Sequence, residues 1–260
     1  MKFCFATLGC KVNQFETQAL AQLAQQRGHV LAEKQADVCI INTCTVTSSG
    51  DHKTLRVLHK LQKENPNAIV ALCGCFAQTE PEQAAAMDGV HIVCGTSDRA
   101  AVLDLCEQAV RDRKAVCTVT DNRQRQAFEQ LPAGILPGHT RALLKVQDGC
   151  DNYCTYCIIP YARGHVRSLP LADAVRQAQQ LINIIARGYA EVPAVAEDGI
   201  FGDATESSVA SIQSLLGLPA TGAIGPLTWE GMADLAENVL AGSQNAAGQY
   251  PGYPVGEEAT

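Results

Sequence analysis

Every lysine and arginine of this 260-residue chain lies at or before Arg187. Residues 1–187 carry 20 basic and 17 acidic side chains, whereas residues 188–260 carry ten acidic ones and no base. The twelve cysteines break off too, the last being Cys157. A chain whose character changes so sharply must build separate cores, and its length suits two or three domains. The formal net charge of −7 averages a mildly basic part with a strongly acidic one. It does not exclude an RNA partner, because a nucleic-acid site needs a local basic patch rather than a basic total. No apolar run reaches the 18 or so residues of a membrane span, so no membrane-spanning segment is expected. The opening MKFCFATLGCKVNQFE is too polar for a signal peptide. Twelve cysteines without an export signal suit a reducing compartment, and a cytoplasmic location is expected.

Residues 1–125 alternate strand-like and helix-like runs. Strands are expected over 2–8, 36–42, 68–74 and 91–95, with helices near 13–27, 51–64, 80–87 and 98–112. This is an α/β pattern with a mostly parallel sheet, and such sheets gather ligands beyond the carboxyl ends of their strands. Cysteines fall there three times: Cys10 in TLGCKVNQ, Cys44 in INTCTVT and Cys75 in LCGCFAQ. Parallel strands put these turns on one edge, where three thiolates could bind an iron–sulfur cluster; scattered cysteines are otherwise small buried hydrophobes. Cys4, Cys39, Cys106 and Cys117 sit in apolar runs and read as core, while Cys73 and Cys94 are less distinct. Asn13, Gln14, Asn42 and Thr43 flank the turns, either to bond cluster sulfides or to cap the backbone.

A polar stretch punctuated by Pro and Gly, residues 126–140, reads as a linker. The run RALLKVQ (141–147) then reads as a strand entering GCDNYCTYCIIPYARG. Cys150, Cys154 and Cys157 are spaced C-x3-C-x2-C, which suits neither a zinc ribbon nor a redox pair. Three thiolates on one loop can hold three irons of a cubane and leave the fourth open for the amino and carboxylate groups of S-adenosyl-L-methionine. Tyr156 could pack against the adenine of that cofactor or serve as a core aromatic. Arg163, with Arg141, Lys145, His165 and Arg167, forms a locally basic stretch suited either to the cofactor carboxylate or another anion, or to solvation.

TLGCKVNQFE, INTCTVT, GCFAQ and GCDNYCTYCIIPYARG together resemble the radical methylthiotransferases of tRNA, most closely the branch acting on threonylcarbamoyladenosine. The resemblance runs over residues 1–180. It implies an auxiliary [4Fe-4S] cluster on Cys10, Cys44 and Cys75 and a radical [4Fe-4S] cluster on Cys150, Cys154 and Cys157. It also implies S-adenosyl-L-methionine as cofactor, a tRNA anticodon stem-loop as partner and an electron donor. The reaction it implies is installation of a 2-methylthio group at adenosine 37.

Residues 141–180 would supply the first βα unit of a radical barrel, with ADAVRQAQQ (172–180) as its crossover helix. Beyond 180 the pattern changes. Pro193 stands where a central strand is due, so catalysis by this chain is expected to be impaired, and the change reads as a join of two unrelated sequences. DGIFGDAT (198–205) and TGAIGPLT (221–228) repeat one theme of a Gly-bounded turn entering a helix. Val209, Ile212, Leu215 and Leu216 form one apolar face, and Trp229, Met232 and Leu235 another. Residues 181–237 thus read as a small three-helix domain resembling the peptidoglycan-binding repeat of cell-wall hydrolases, with peptidoglycan as an alternative partner. Asp198, Asp203 and Trp229 could form a sugar site or merely cap and pack. Residues 238–260 are expected to be disordered.

Overall fold

The computed structural model describes residues 1–45, 50–124, 127–132, 145–240 and 242. Arg141 and its neighbours 142–144, most of the expected linker and nearly all of the tail lie outside them. The chain divides into two units, one of residues 1–134 and 143–169, the other of 135–142 and 170–260.

The first unit is a six-stranded sheet ordered β2-β1-β3-β4-β5-β6, and every pairing in it is parallel. Its strands are β1 (Lys2–Thr7), β2 (Val30–Leu31), β3 (Val38–Thr43), β4 (Ile69–Gly74), β5 (Ile92–Cys94) and β6 (Val116–Thr118). Between them run α1 (Lys11–Gln26), α2 (Gly50–Glu64), the short α3 (Cys75–Thr79) and α4 (Pro81–Ala85), and α5 (Arg99–Asp112). β3 and β4 are buried at every residue, as expected for central strands covered on both faces. Alternation along them feeds two cores. Val38, Ile40, Ile69, Ala71 and Cys73 pack with Leu20, Val102, Leu103 and Cys106 on one face. Cys39, Ile41, Val70 and Leu72 pack with Leu58, Leu61 and Phe76 on the other.

The edge strands β2 and β6 have two and three residues, too short to announce themselves by periodicity. β6 also explains why Cys117, expected in the core, is exposed: it lies on the uncovered rim of the sheet. Cys4, Cys39, Cys73, Cys94 and Cys106 are all buried.

In the rest of this unit, β7 (Gln147–Asp148) pairs antiparallel with β8 (Arg167–Ser168), and α6 (Ile159–Arg163) lies between them. In the expected first barrel unit the strand is therefore, in its described part, one side of a two-residue antiparallel ladder, residues 172–180 are helical, and the described residues form no closed barrel.

The second unit holds α7 (Leu171–Ala186), α8 (Asp203–Leu215) and α9 (Pro226–Leu240). The change of pattern expected at 180 falls inside α7, a single helix whose Leu181, Ile182 and Ile185 pack with Val209, Ile212, Met232 and Leu235. Two buried glutamines account for the repeated theme. Gln179 Oε1 accepts from Gly199 N–H, while its amide donates to Asp198 Oδ1, Ile200 O and Thr205 Oγ1. Gln213 Oε1 accepts from Gly222 N–H, and its amide donates to Thr221 Oγ1, Ala223 O and Thr228 Oγ1. Each turn leaves the same backbone groups open, and a glutamine from the preceding helix closes them.

Candidate metal centre

Cys10, Cys44 and Cys75 follow the carboxyl ends of β1, β3 and β4, which are neighbours in the sheet. The register pairs Thr7 with Asn42 and Thr43 with Gly74, so the three turns leave one edge at one level. Two glycines make the approach feasible. Gly9 has φ 103°, and a Cβ there would lie 2.6 Å from Cys44 Sγ. Gly74 has φ 95°, and a Cβ would lie 2.3 Å from Asn42 Oδ1 and 2.5 Å from Thr43 O. Both positions demand the left-handed region and exclude a side chain.

Polar side chains lash the turns together. Asn13 Nδ2 donates to Leu8 O at 2.8 Å and to Thr43 O at 2.9 Å. Asn42 Nδ2 donates to Asn13 O, and Thr43 Oγ1 to Cys73 O. Asn13 is also the acceptor for the Cys10 thiol, at 3.7 Å. Cys10 is exposed, Cys44 half-buried and Cys75 buried. Burial pushes the Cys75 thiol up, and the nearby Arg163 guanidinium counteracts this in part. Cys73 lies inside β4 and faces the α1/α5 core, away from the turns. Among the described residues no three His, Cys, Asp or Glu side chains stand close enough to hold a single metal ion.

The three-cysteine loop is closed by its own backbone. Cys150 N–H donates to Gly164 O at 3.1 Å, and Cys157 N–H to Cys154 O at 2.9 Å. Gly149, at φ 79°, sits so close that a Cβ would meet His165 O at 2.1 Å. Thr96 Oγ1 and Asn122 Nδ2 both hold Ala162 O, tying α6 to the sheet. Cys150 and Cys157 are half-buried and Cys154 is exposed. Tyr156 is 90% exposed, so it is no core aromatic. Tyr153 packs edge-on against Tyr161.

In the basic stretch behind this loop Lys145, Arg163 and Arg167 are buried rather than solvated, while His165 is exposed. Arg163 is buried: its NH1 reaches Glu16 Oε1 at 2.8 Å and Asp148 Oδ1 at 3.0 Å, and its NH2 reaches Asn13 Oδ1 at 2.8 Å. Lys145 Nζ pairs with Glu16 at 2.8 Å and Asp148 at 2.6 Å. Arg99 NH2 meets Glu16 Oε2 at 2.6 Å, and Arg99 NH1 meets Glu129 at 2.8 Å. Arg167 donates to His165 O and Arg163 O, and His165 faces Asp151 at 2.6 Å. Burial alone would raise the Glu16 pKa, but Arg99, Arg163 and Lys145 outweigh it and hold the carboxyl well below its ordinary value. The Arg163 guanidinium, expected beside a cofactor carboxylate, is thus engaged internally. It links the two cysteine sets, since Asn13 Oδ1 touches both Cys10 and Arg163, and Gly164 O holds Cys150. Glu16 was not foreseen; only a buried acid in the polar run after Cys10 hints at it.

In the second unit Asp198 is occupied as a turn cap, accepting from Ile200 N–H and Gln179, and Trp229 packs against the helical core. Asp203 lines a shallow polar pocket with Glu206, Ser207 and Thr221. The three do not form one site.

Residues 2–95 match the profile of the uncharacterized protein family UPF0004. The chain is 42% identical over 190 residues to the threonylcarbamoyladenosine tRNA methylthiotransferase MtaB of Bacillus subtilis, covering 72% of this chain and 42% of that protein. It is 37% identical over 194 residues to the protein of that name from Aquifex aeolicus, covering 74% and 47%. A tRNA-2-methylthio-N(6)-dimethylallyladenosine synthase from Sulfurihydrogenibium is 35% identical over 191 residues, covering 70% and 43%. The first unit is methylthiotransferase-like. The chain spans less than half the length of these relatives. Residues 171–232 match the putative peptidoglycan binding domain, and that match begins at the first residue of α7. The methylthiotransferase-like unit therefore holds both cysteine sets, and the peptidoglycan-binding-like unit holds none.

Proposed function

We propose that the methylthiotransferase-like unit carries two [4Fe-4S] clusters, one on Cys10, Cys44 and Cys75 and one on Cys150, Cys154 and Cys157, and serves 2-methylthiolation of N6-threonylcarbamoyladenosine 37 in tRNA. What supports the reading above all is the convergence of three cysteine-bearing turns on one sheet edge, with glycine where a Cβ would close the gap. A cubane core is several ångströms across, so its ligands stand further apart than those of one ion, and thiolates are the donors it takes. The unpartnered buried Asn42 Oδ1 lies at this edge, beside Gly74. The residues present fit the group.

When bound, the clusters with S-adenosyl-L-methionine would supply the radical and the sulfur chemistry. The chain's own residues hold the geometry. Asn13 ties the first two turns, Arg163 and Glu16 hold the three-cysteine segment, and Tyr156 stands open for an adenine. An electron donor and a cytoplasmic location go with the reading; no helix among the described residues is long and apolar enough to cross a membrane. Anaerobic reconstitution with iron and sulfide tests it. The full chain should take up about eight irons, and Cys10→Ala and Cys150→Ala should each lose about half. Unchanged iron in both variants would overturn the assignment.

A second reading concerns residues 170–240, which we propose bind peptidoglycan. It is favoured by the family match and by a complete three-helix core. Failure of the full chain to pellet with insoluble peptidoglycan would remove it.

A further inference from the structure

The described lysine and arginines that crowd the three-cysteine loop in sequence face inward, whereas Lys11, next to Cys10, is exposed but stands singly. Lys145, Arg163 and Arg99 are buried in ion pairs, and Arg167 is buried against backbone carbonyls. Arg27 pairs with Asp104 and Glu107, and Arg123 with Asp121. Helix α2 is different. Lys53, Arg56, Lys60 and Lys63 are all exposed, and none joins an ion pair among the described residues.

Their spacing of three, four and three residues places them within about 80° of one helix face, along about 15 Å of axis. His59 is exposed beside them. The opposite face carries Thr54, Leu58 and Leu61, which are buried, so α2 cannot roll to hide the stripe. Four like charges three and four apart repel one another and weaken the helix slightly. That cost is offset when a polyanion covers them.

We propose that this face of α2 is a docking surface for the phosphate backbone of an RNA. Long flexible ammonium groups and one guanidinium, in a row and unpaired among the described residues, suit phosphates spaced along a strand and carry no base-reading geometry. The row would strengthen binding without selecting sequence. The inference rests on the RNA-directed reading above for its partner, and on α2 alone for its place. Beyond Arg187 the second unit offers no cation at all.

The test measures binding of the full chain to a labelled anticodon stem–loop RNA across a salt series. The comparison is between the parent, a Lys53→Gln/Arg56→Gln/Lys60→Gln/Lys63→Gln variant, and a control in which Lys2, Lys34 and Lys114 become Gln. The stripe variant should bind at least about tenfold more weakly at low salt, and its plot of log K against log salt should be shallower by about 3. The control should track the parent. No measurable RNA binding by the parent, or equal loss in variant and control, would overturn the proposal. Exposed substitutions leave the cores intact, and iron uptake by the stripe variant should equal that of the parent. Cluster loading and RNA docking therefore stand or fall separately.

Discussion

Glu16 is the acid on which the first unit turns, and Glu16→Gln isolates its charge. The side chain is fully buried, and three cations converge on it: Arg99 at 2.6 Å, and Lys145 and Arg163 at 2.8 Å each. A glutamine fills the same volume but leaves those cations with only Asp148 and Glu129. Unpairing a buried charge in a network costs about 3–5 kcal/mol, a large share of a domain's total stability.

The assay is urea unfolding followed by two signals. Far-UV circular dichroism sees both units, while the single tryptophan, Trp229, sees only the second. The variant should shift the dichroism transition and leave the fluorescence transition in place. Adding Lys145→Met to Glu16→Gln restores charge balance and should recover part of the loss. Acid acts in the same direction as the mutation. Because the folded pKa is held far below its ordinary 4.5, the stabilisation is complete above that value and is lost as pH falls toward the depressed one. Glu16→Gln should therefore flatten the acid limb of the first unit. A loss below about 1 kcal/mol, or an equal shift in both signals, would refute the claim that this carboxylate balances buried cations.

Two further outcomes concern the second unit. Gln213→Leu strips the partners from Gly222 N–H, Ala223 O and Thr228 Oγ1, and should cost about 3 kcal/mol in the Trp229 transition, with Gln179→Leu behaving alike; a cost under about 0.5 kcal/mol would mean that water replaces the glutamine. Asp234 is pushed up to about 6 by burial and by Glu230 and Glu237, so the folded unit binds a proton the unfolded chain lacks and gains stability as pH falls from 7 toward 4. Asp234→Asn should add about 1 kcal/mol at pH 7, solvent screening allowed for, and remove that gain; an unchanged pH profile would exclude Asp234 as its source.

Much of this was legible in the sequence, and the reason is locality. The strand–helix alternation, the three turns after β1, β3 and β4, and the apolar faces of α8 and α9 are each written within one element. The glutamine clasps were not legible, because Gln179 and Gln213 sit on the helix before each turn they close. The extent of α7 was missed for a related reason. Its first half carries polar spacing that suits a crossover helix, and only the partners of Gln179 and Ile182 assign it to the second unit.

The fate of the cations shows where sequence proximity misleads. Lys145, Arg163 and Arg167 crowd around the cysteine loop and read as one positive patch. Glu16, 129 residues from Lys145 and 147 from Arg163, converts that patch into internal structure. A burial-averse guanidinium is held inside when carboxylates or carbonyls meet it, so Arg163, Arg167 and Lys145 hold the loop in place and are not offered to an anion. The cations of α2 belong to no cysteine motif, yet their period puts them on the face opposite Leu58 and Leu61, where no carboxylate among the described residues pairs with them. Helical period, rather than nearness to a motif, decides which charges of this unit face a partner.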